Sequence, residues 1–387
     1  MITIRVGSRV HRLLQILSVV GEFPAKSLSL LGSERDMRKL IIKLETIQDY
    51  RTNRDGKVYS VKLLSVHGKR GARTVRLHKK ALPILNELHP AALGSYLESF
   101  HNHVFPGDAA HVWRNHRVAE AAAVFMRAGV ETRPYVLPSL QTRNIRHVIP
   151  DTPSFYIARN LKKTFTDDDL GGMNKTMYTR MVGALFYPRG CYAVYNTRDA
   201  VMKWYGTGEI KAGVLVTDLV RFNAGWNPEG IQSALLLGTR MEVAMHALLQ
   251  SEKSHRPDLR FDALYHQIHF VPMDVEGIRL VRILTLPDWN ERILDALFMK
   301  DQRIRPGTAE YDAIVDGNHV FSHLDSDIAR LIRFRDTMYL APENTYEVVC
   351  YPWQCKFLQR YLGEKVILSQ LGMKAVETAL GIESIEK

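Results

Sequence analysis

All of the chain's excess positive charge lies in its first 90 residues, and this step in charge most constrains what it can fold into. Residues 1–90 hold 18 Lys/Arg against 7 Asp/Glu, a net of +11, which is the net charge of all 387 residues. Residues 91–387 carry 34 charges of each sign. A basic segment joined to a neutral body predicts two kinds of module, one of them suited to a polyanion. The length allows two or three domains. A chain 46% hydrophobic and 24% charged has ample material for a core.

Within the basic segment, apolar spacing predicts three helices and then a hairpin. Val10, Leu13, Leu14, Leu17 and Val20 form one stripe that ends near Gly21. "PAKSLSLLG" reads as a short helix with Pro24 in its first turn and Gly32 after it. In "SERDMRKLIIKLETIQ", Ser33 is placed as an N-cap, and Met37, Leu40, Ile41, Leu44 and Ile47 face a core. Arg35, Arg38, Lys39 and Lys43 lie on the opposite side. Ile42 sits among them, where it would pack on a neighbour or meet a thymine methyl. Two β-rich runs follow, "KVYSVKLLSV" (57–66) and "RTVRL" (73–77), joined by "HGKRGA" (67–72). This is the element order of a winged helix-turn-helix, whose third helix enters the major groove while the wing contacts backbone. The expected contacts to double-stranded DNA are Arg35, Arg38, Lys39 and Lys43, with Lys57, Lys69, Arg70 and Arg73 on or beside the wing. The competing reading of the helix is a solvated charged face.

The body reads differently. Residues 91–130 are a linker and a long connecting helix, "AAHVWRNHRVAEAAAVFMRAG", closed by Gly129. From 131 to 387, strands and helices alternate, which predicts an α/β domain with a mixed sheet. "RMVGALFYPRGCYAVYNTR" is a hairpin, and "GIQSALLLG" with "TRMEVAMHALLQS" is strand then helix. "RFDALYHQIHFVPM" and "IRLVRILTL" read as strands. "DWNERILDALF" reads as a helix with a capping box of Asp288 and Glu291. "AIVDGNHVFSHL" is a strand or hairpin before the helix "SDIARLIRFRD", and "YEVVCYPWQ" to "MKAVETALG" is strand–helix–strand–helix. The fold class is thus α+β to α/β: a winged helix over 1–90, a connector over 91–130, and a mixed α/β domain over 131–387.

Several constellations invite an enzyme reading. His101, His103, His111 and His116 fall within 16 residues, as a metal site would require. Surface or linker histidines are the alternative. Asp199 with "GEIK" (208–211) echoes a nuclease arrangement in which two carboxylates hold Mg²⁺, but Glu209 also suits a helix start. Asp312, Asp316, Asp325 and Asp327 with His319 and His323 form the densest acid and histidine set. There, Asp325 and Ser326 suit a helix cap and Asp316-Gly317 a turn. "TDDDLGG" (166–172) reads as a solvated loop. Gly238, between strand and helix, is by itself too little to claim a nucleotide. No phosphate loop, nucleophile elbow, dinucleotide fingerprint or H-E-x-x-H sequence is present. No catalytic residue, metal or cofactor is therefore assigned.

No apolar run approaches 18 residues, so no membrane span is expected. "LLQILSVV" after three arginines is read as the first helix, not a signal peptide. Three cysteines, Cys191, Cys350 and Cys355, argue against a disulfide framework and for a reducing cytoplasm. Cys350 and Cys355 flank "YPWQ", with no matching ligands nearby for zinc.

"RLLQILSVVGEFPAKSLSLLGSERDMRKLIIKLETI", "RTVRLHKKALPIL" and "HVWRNHRVAEAAAVF" resemble the replication-relaxation family of plasmids and conjugative elements of Gram-positive bacteria. His111 matches a histidine that begins such a helix in that family. The resemblance covers about the first 130 residues, and the rest is similar to companion proteins of such elements. It implies a DNA-binding accessory role in replication, mobilisation or their control. The body would dimerise or recruit a relaxase or replication initiator. Members often carry a Glu-x-Asp pair on a strand of the second domain, and no counterpart is found here. Two alternatives stay open: a metal-dependent nuclease or nicking enzyme, and an effector-responsive transcriptional regulator.

Overall fold

The computed structural model describes residues 1–52, 57–105, 107–138, 151–162, 180–188, 190–200, 213, 233–253, 265–304 and 310–383. The chain divides into two units, Met1–Ser139 with Ser154–Asn160, and Leu140–Pro153 with Leu161–Lys387. It is mixed α and β, with several sheets. Among the described residues no helix is long and apolar enough to cross a membrane.

In the first unit, strand β1 (Ile2–Ile4) precedes helix α1 (Arg9–Val20), which Ser8 caps and Gly21 ends. Strand β2 (Glu22–Pro24) runs into a one-sided 3₁₀ stretch, Ala25–Leu31, so Pro24 closes a strand instead of opening a helix. Helix α2 (Glu34–Leu44) follows. Met37, Ile41 and Leu44 are buried along it and Leu40 is half-buried, as the stripe predicts. Ile47 departs from the expectation: the helix stops at Leu44, and Ile47 is 62% exposed. Ser33 does occupy the cap position, but its side chain makes no capping hydrogen bond.

The run 57–66 is not one strand. It forms β4 (Val58–Val61) and β5 (Leu64–His67), which belong to different sheets. With β3 (Gln48–Thr52), β4 makes a sheet ordered β1-β3-β4. With β6 (Thr74–Leu77), β5 makes an antiparallel sheet ordered β2-β6-β5. The cause is the pair Leu63 and Leu64. Both are fully buried, which breaks the two-residue alternation a single strand needs. The Leu63 N–H donates to the Leu44 carbonyl, so the chain turns back under α2 at that point.

Helices α3 (Leu82–Leu88) and α4 (Pro90–Ser99) lead to α5 (Ala109–Arg127). The segment read as a connector is core: Ala119, Ala121, Ala122, Val124 and Phe125 are buried. Polar contacts fix α5 to the basic module. Ser27 donates to Glu120 at 2.6 Å, Asn115 donates to Glu22 at 2.7 Å, and Thr74 lies 2.7 Å from the His116 ring. Strand β7 (Ser154–Ile157) rejoins this unit through the Glu131 carbonyl and the ring of Phe125. A five-residue helix, α6 (Ala158–Lys162), comes next.

The second unit contains β8 (Met181–Tyr187), β9 (Gly190–Arg198), β10 (Ser233–Gly238) and β11 (Gln267–Pro272). The hairpin β8–β9 is antiparallel, and β9, β10 and β11 run parallel. Near-continuous burial of β8 to β10 is what a sheet covered on both faces produces. After β10 comes α7 (Met241–Lys253). Gly238 has a packing reason: a Cβ there would stand 2.8 Å from the Phe270 ring and 3.1 Å from Val243.

The second sheet of this unit is ordered β12-β13-β14-β15, from Ala313–Val315, Asn318–Ser322, Tyr346–Cys350 and Ile367–Gln370. The first pair is an antiparallel hairpin, and the other two pairings are parallel. Asp316 and Gly317 at the hairpin turn both have positive φ, 50° and 83°, which the tight two-residue turn requires. "IRLVRILTL" is corrected from strand to helix, α8 (Val275–Leu284), capped by Asp274. Ile278, Leu280, Val281, Ile283 and Leu284 are buried, while Glu276, Arg279 and Arg282 line the half-buried side at three-residue spacing, a helical period that the β-branched run Ile278, Val281, Ile283 masks when read alone. Helix α9 (Trp289–Leu297) begins at Asp288, but Asp288 is left-handed and makes no side-chain cap, so the predicted capping box is absent. Glu291 pairs with Arg303 instead. Helices α10 (Ile328–Leu340), α11 (Cys355–Leu362) and α12 (Met373–Ala379) complete the unit. An apolar cleft of ≈ 240 Å³ lies between α9 and α12, floored by Leu324 and Leu371.

Candidate functional site

The predicted DNA-facing residues fall on three elements of the first unit. Arg35, Arg38, Lys39 and Lys43 are exposed on α2, and Ile42 beside them is 66% exposed. Glu34 takes Arg38 in an i,i+4 ion pair at 2.6 Å, and Asp36 takes Arg9 at 3.1 Å. Arg35, Lys39 and Lys43 have no carboxylate partner among the described residues. On the β5–β6 hairpin, Lys69 and Arg73 are exposed, and Arg70 opens the single turn Arg70–Ala72 at the tip. Both α2 and this tip turn pack against the short helix Ala25–Leu31, which brings the two basic elements to one neighbourhood. Lys57 is exposed but stands apart from them. It immediately precedes β4 in the other sheet, with its ammonium 5.1 Å from the Tyr59 ring.

The local field is positive. Burial lowers the pKa of His78, and Lys62 and Lys80 lower it further. Sequence reasoning passed over Lys62, Lys79 and Lys80, which are also exposed in this unit. Their signal was charge alone, without a helical stripe to organise it.

The histidines at 101–116 do not converge. His103 Nδ1 lies 2.6 Å from the Tyr96 hydroxyl, His111 pairs with its own helix cap Asp108, and His116 meets Thr74. His101, Asn102 and His103 all have positive φ, so this stretch is an irregular turn. No group of three His, Cys, Asp or Glu suited to a metal is found among the described residues. Asp199 is exposed at the end of β9. Glu209 and Lys211, and the "TDDDLGG" loop, lie outside the described residues.

The acid and histidine set of the second unit does form a cluster, and it is buried. Residues 323–327 connect β13 to α10, and the Ser326 carbonyl accepts from the Phe270 N–H at the edge strand β11. Asp327 caps α10 and also accepts from the Ile268 N–H at 3.0 Å. Arg330 reaches Asp312 at 2.5 Å. The His269 Nδ1 lies 2.9 Å from the Asp325 carbonyl oxygen, and its ring stands edge-on to Tyr192 and Trp289. Several polar atoms are left without a protein partner: both ring nitrogens of His323, Nε2 of His269, Oγ of Ser326 and Oδ2 of Asp327. Asp316 and His319 stay in the β12–β13 hairpin. His269 is the member that sequence reasoning missed; its only signal was one polar residue inside an apolar strand.

Burial sets the protonation of this cluster. It lowers His323 to about 3; Asp327 opposes that shift, and Arg330 and His269 add to it. It raises Asp325 to about 6, with His269 acting in the other direction. Below about pH 6.5 the unfolded chain binds a proton at His323 that the folded chain refuses. Stability from this group is complete above 6.5 and is lost as pH falls toward 3. Asp325 has the opposite sign. The folded carboxyl keeps a proton that the unfolded one releases near 3.8, so its contribution is complete below that pH and is lost as pH rises through about 6. Between these limits the two trends cancel. Asp325→Asn removes one of them. Relative to the parent, its stability is expected to fall more steeply as pH drops from about 6.5 to 4, because the opposing contribution of Asp325 is gone. Denaturant unfolding of both proteins at three pH values in that window checks this, and the same pH dependence for parent and variant contradicts it.

Comparison with protein-family models, curated proteins and solved structures finds no match to this chain.

Proposed function

We propose that the protein binds double-stranded DNA through its first unit, as an accessory in the replication or mobilisation of a mobile genetic element or in their control. The observation that carries the DNA reading is the set of exposed cations on α2 and on the β5–β6 tip. They flank one short helix and, for Arg35, Lys39 and Lys43, lack carboxylate partners among the described residues. The order α1, β2, short helix, α2, β5, β6, with the sheet ordered β2-β6-β5, supports a winged helix-turn-helix. The hairpin β3–β4 is then an insertion between the recognition helix and the wing. In this reading α2 enters the major groove, with Ile42 available to a thymine methyl, and Lys69 and Arg73 neutralise phosphates. The role in a mobile element rests on the family resemblance and depends on this DNA binding.

Binding of the full chain to duplex DNA across a salt series tests the proposal. Log affinity is expected to fall with log salt at about 0.9 per phosphate neutralised, with a total slope of several units. A chain that does not bind at low ionic strength, or binds without salt dependence, is not using this surface.

A further inference from the structure

Two cysteines of the second unit face each other across one turn. Cys350 ends β14 and is fully buried. Cys355 begins α11 and is partly accessible. Their sulfurs are 3.7 Å apart, and both are free thiols. The intervening Tyr351–Gln354 is held in place. The Gln354 carboxamide oxygen accepts from the Tyr351 N–H at 2.8 Å, and its nitrogen donates to the His323 carbonyl at 3.1 Å. The thiol of Cys355 also approaches the Tyr351 carbonyl at 3.6 Å. A disulfide bond is about 2.05 Å long, so bond formation needs the sulfurs to close by roughly 1.7 Å.

We propose that Cys350 and Cys355 form a reversible oxidation site that converts to an intramolecular disulfide on reaction with a hydroperoxide. Cys355, the accessible partner, attacks the peroxide oxygen as thiolate. The O–O bond breaks, water leaves, and Cys355 carries a sulfenic acid. The Cys350 sulfur then attacks the Cys355 sulfur and gives up its proton, and the departing hydroxide takes a proton to leave as water. Two thiols and one peroxide thus become one disulfide and two waters. Burial raises the Cys350 thiol pKa and Cys355 raises it further, which agrees with Cys350 as the second actor. Cys191 provides an internal reference. It is buried in the β8–β9 hairpin, and burial raises its pKa too.

The test uses the native full chain, hydrogen peroxide, alkylation and peptide mass analysis. The expected product has lost two hydrogens, has a crosslinked peptide joining 350 to 355, keeps Cys191 alkylatable after denaturation, and reverts with a dithiol reductant. Cys350→Ser is expected to stop at a sulfenic acid on Cys355 that dimedone traps. Cys355→Ser is expected to leave Cys350 reduced, with its oxidation slowed at least about tenfold. Accumulation of sulfinic acid on Cys355 in the parent while Cys350 stays alkylatable would overturn the proposal. So would oxidation of Cys350 at an unchanged rate in Cys355→Ser. The parent measurement needs no substitution, so a poorly folding variant does not leave the question open.

Discussion

Replacing Lys39 and Lys43 together with glutamate is expected to weaken duplex binding by about a hundredfold at low salt and to leave the fold intact. Both side chains are exposed and neither holds an ion pair among the described residues, so the only folded-state interaction lost is that of the Lys43 charge with the C-terminal turn of α2, worth up to about 1 kcal/mol. Two attractive charges become two repulsive ones beside the phosphates. The glutamine pair separates this from a structural effect: the salt slope should fall by roughly 0.9 for each phosphate contact removed. Arg38 is a poorer choice for this test, because Glu34 already offsets its charge. An exposed pair of this kind contributes at most about 1 kcal/mol, so it would yield to DNA. Unchanged affinity in the Lys39/Lys43 glutamate variant, with an unchanged melting temperature, would remove α2 from the interface.

The largest expected stability effect lies behind that surface, at Glu22. Its side chain is fully buried on β2, opposite Arg76 on β6. Arg76 donates to it twice, at 3.0 and 2.8 Å, and Asn115 on α5 donates to its other oxygen. One carboxylate therefore joins the central strand of the β2-β6-β5 sheet to the long helix. Glu22→Ala leaves the guanidinium and the amide without their acceptor in a poorly hydrated place. Loss of one partner from such a pair costs about 3–5 kcal/mol. The lower end is expected, since Arg76 keeps 17% exposure and lies over the Phe105 ring at 4.4 Å. In melting temperature that is a drop of roughly 10 °C. Glu22→Gln keeps an acceptor for Asn115 and should cost about 1–2 kcal/mol. A melting temperature for Glu22→Ala within about 2 °C of the parent would show that the pair is not what holds α5 to the sheet.

Charge and spacing were enough to read the surface of the first unit from the sequence. The net charge of residues 1–90, the stripe of Met37, Ile41 and Leu44, and the bases opposite it are properties of single residues and of helical period. The same holds for the β8–β9 strand pairing, and for the β12–β13 turn, where Asp316 and Gly317 decide the local conformation. Only the tertiary structure decided the rest. It split 57–66 between two sheets because Leu63 and Leu64 both found cores to enter. It made 278–284 a helix, where apolar β-branched residues suit either period and Glu276, Arg279 and Arg282 on one side fit the helical one. It turned α5 from connector to core through Glu22, Thr74 and Ser27, all distant in sequence from the groups they meet. It placed His269 beside Asp325, and Cys350 against Cys355 across a fixed turn. Such pairings depend on burial and on which strands become neighbours, and no local window of sequence carries that information.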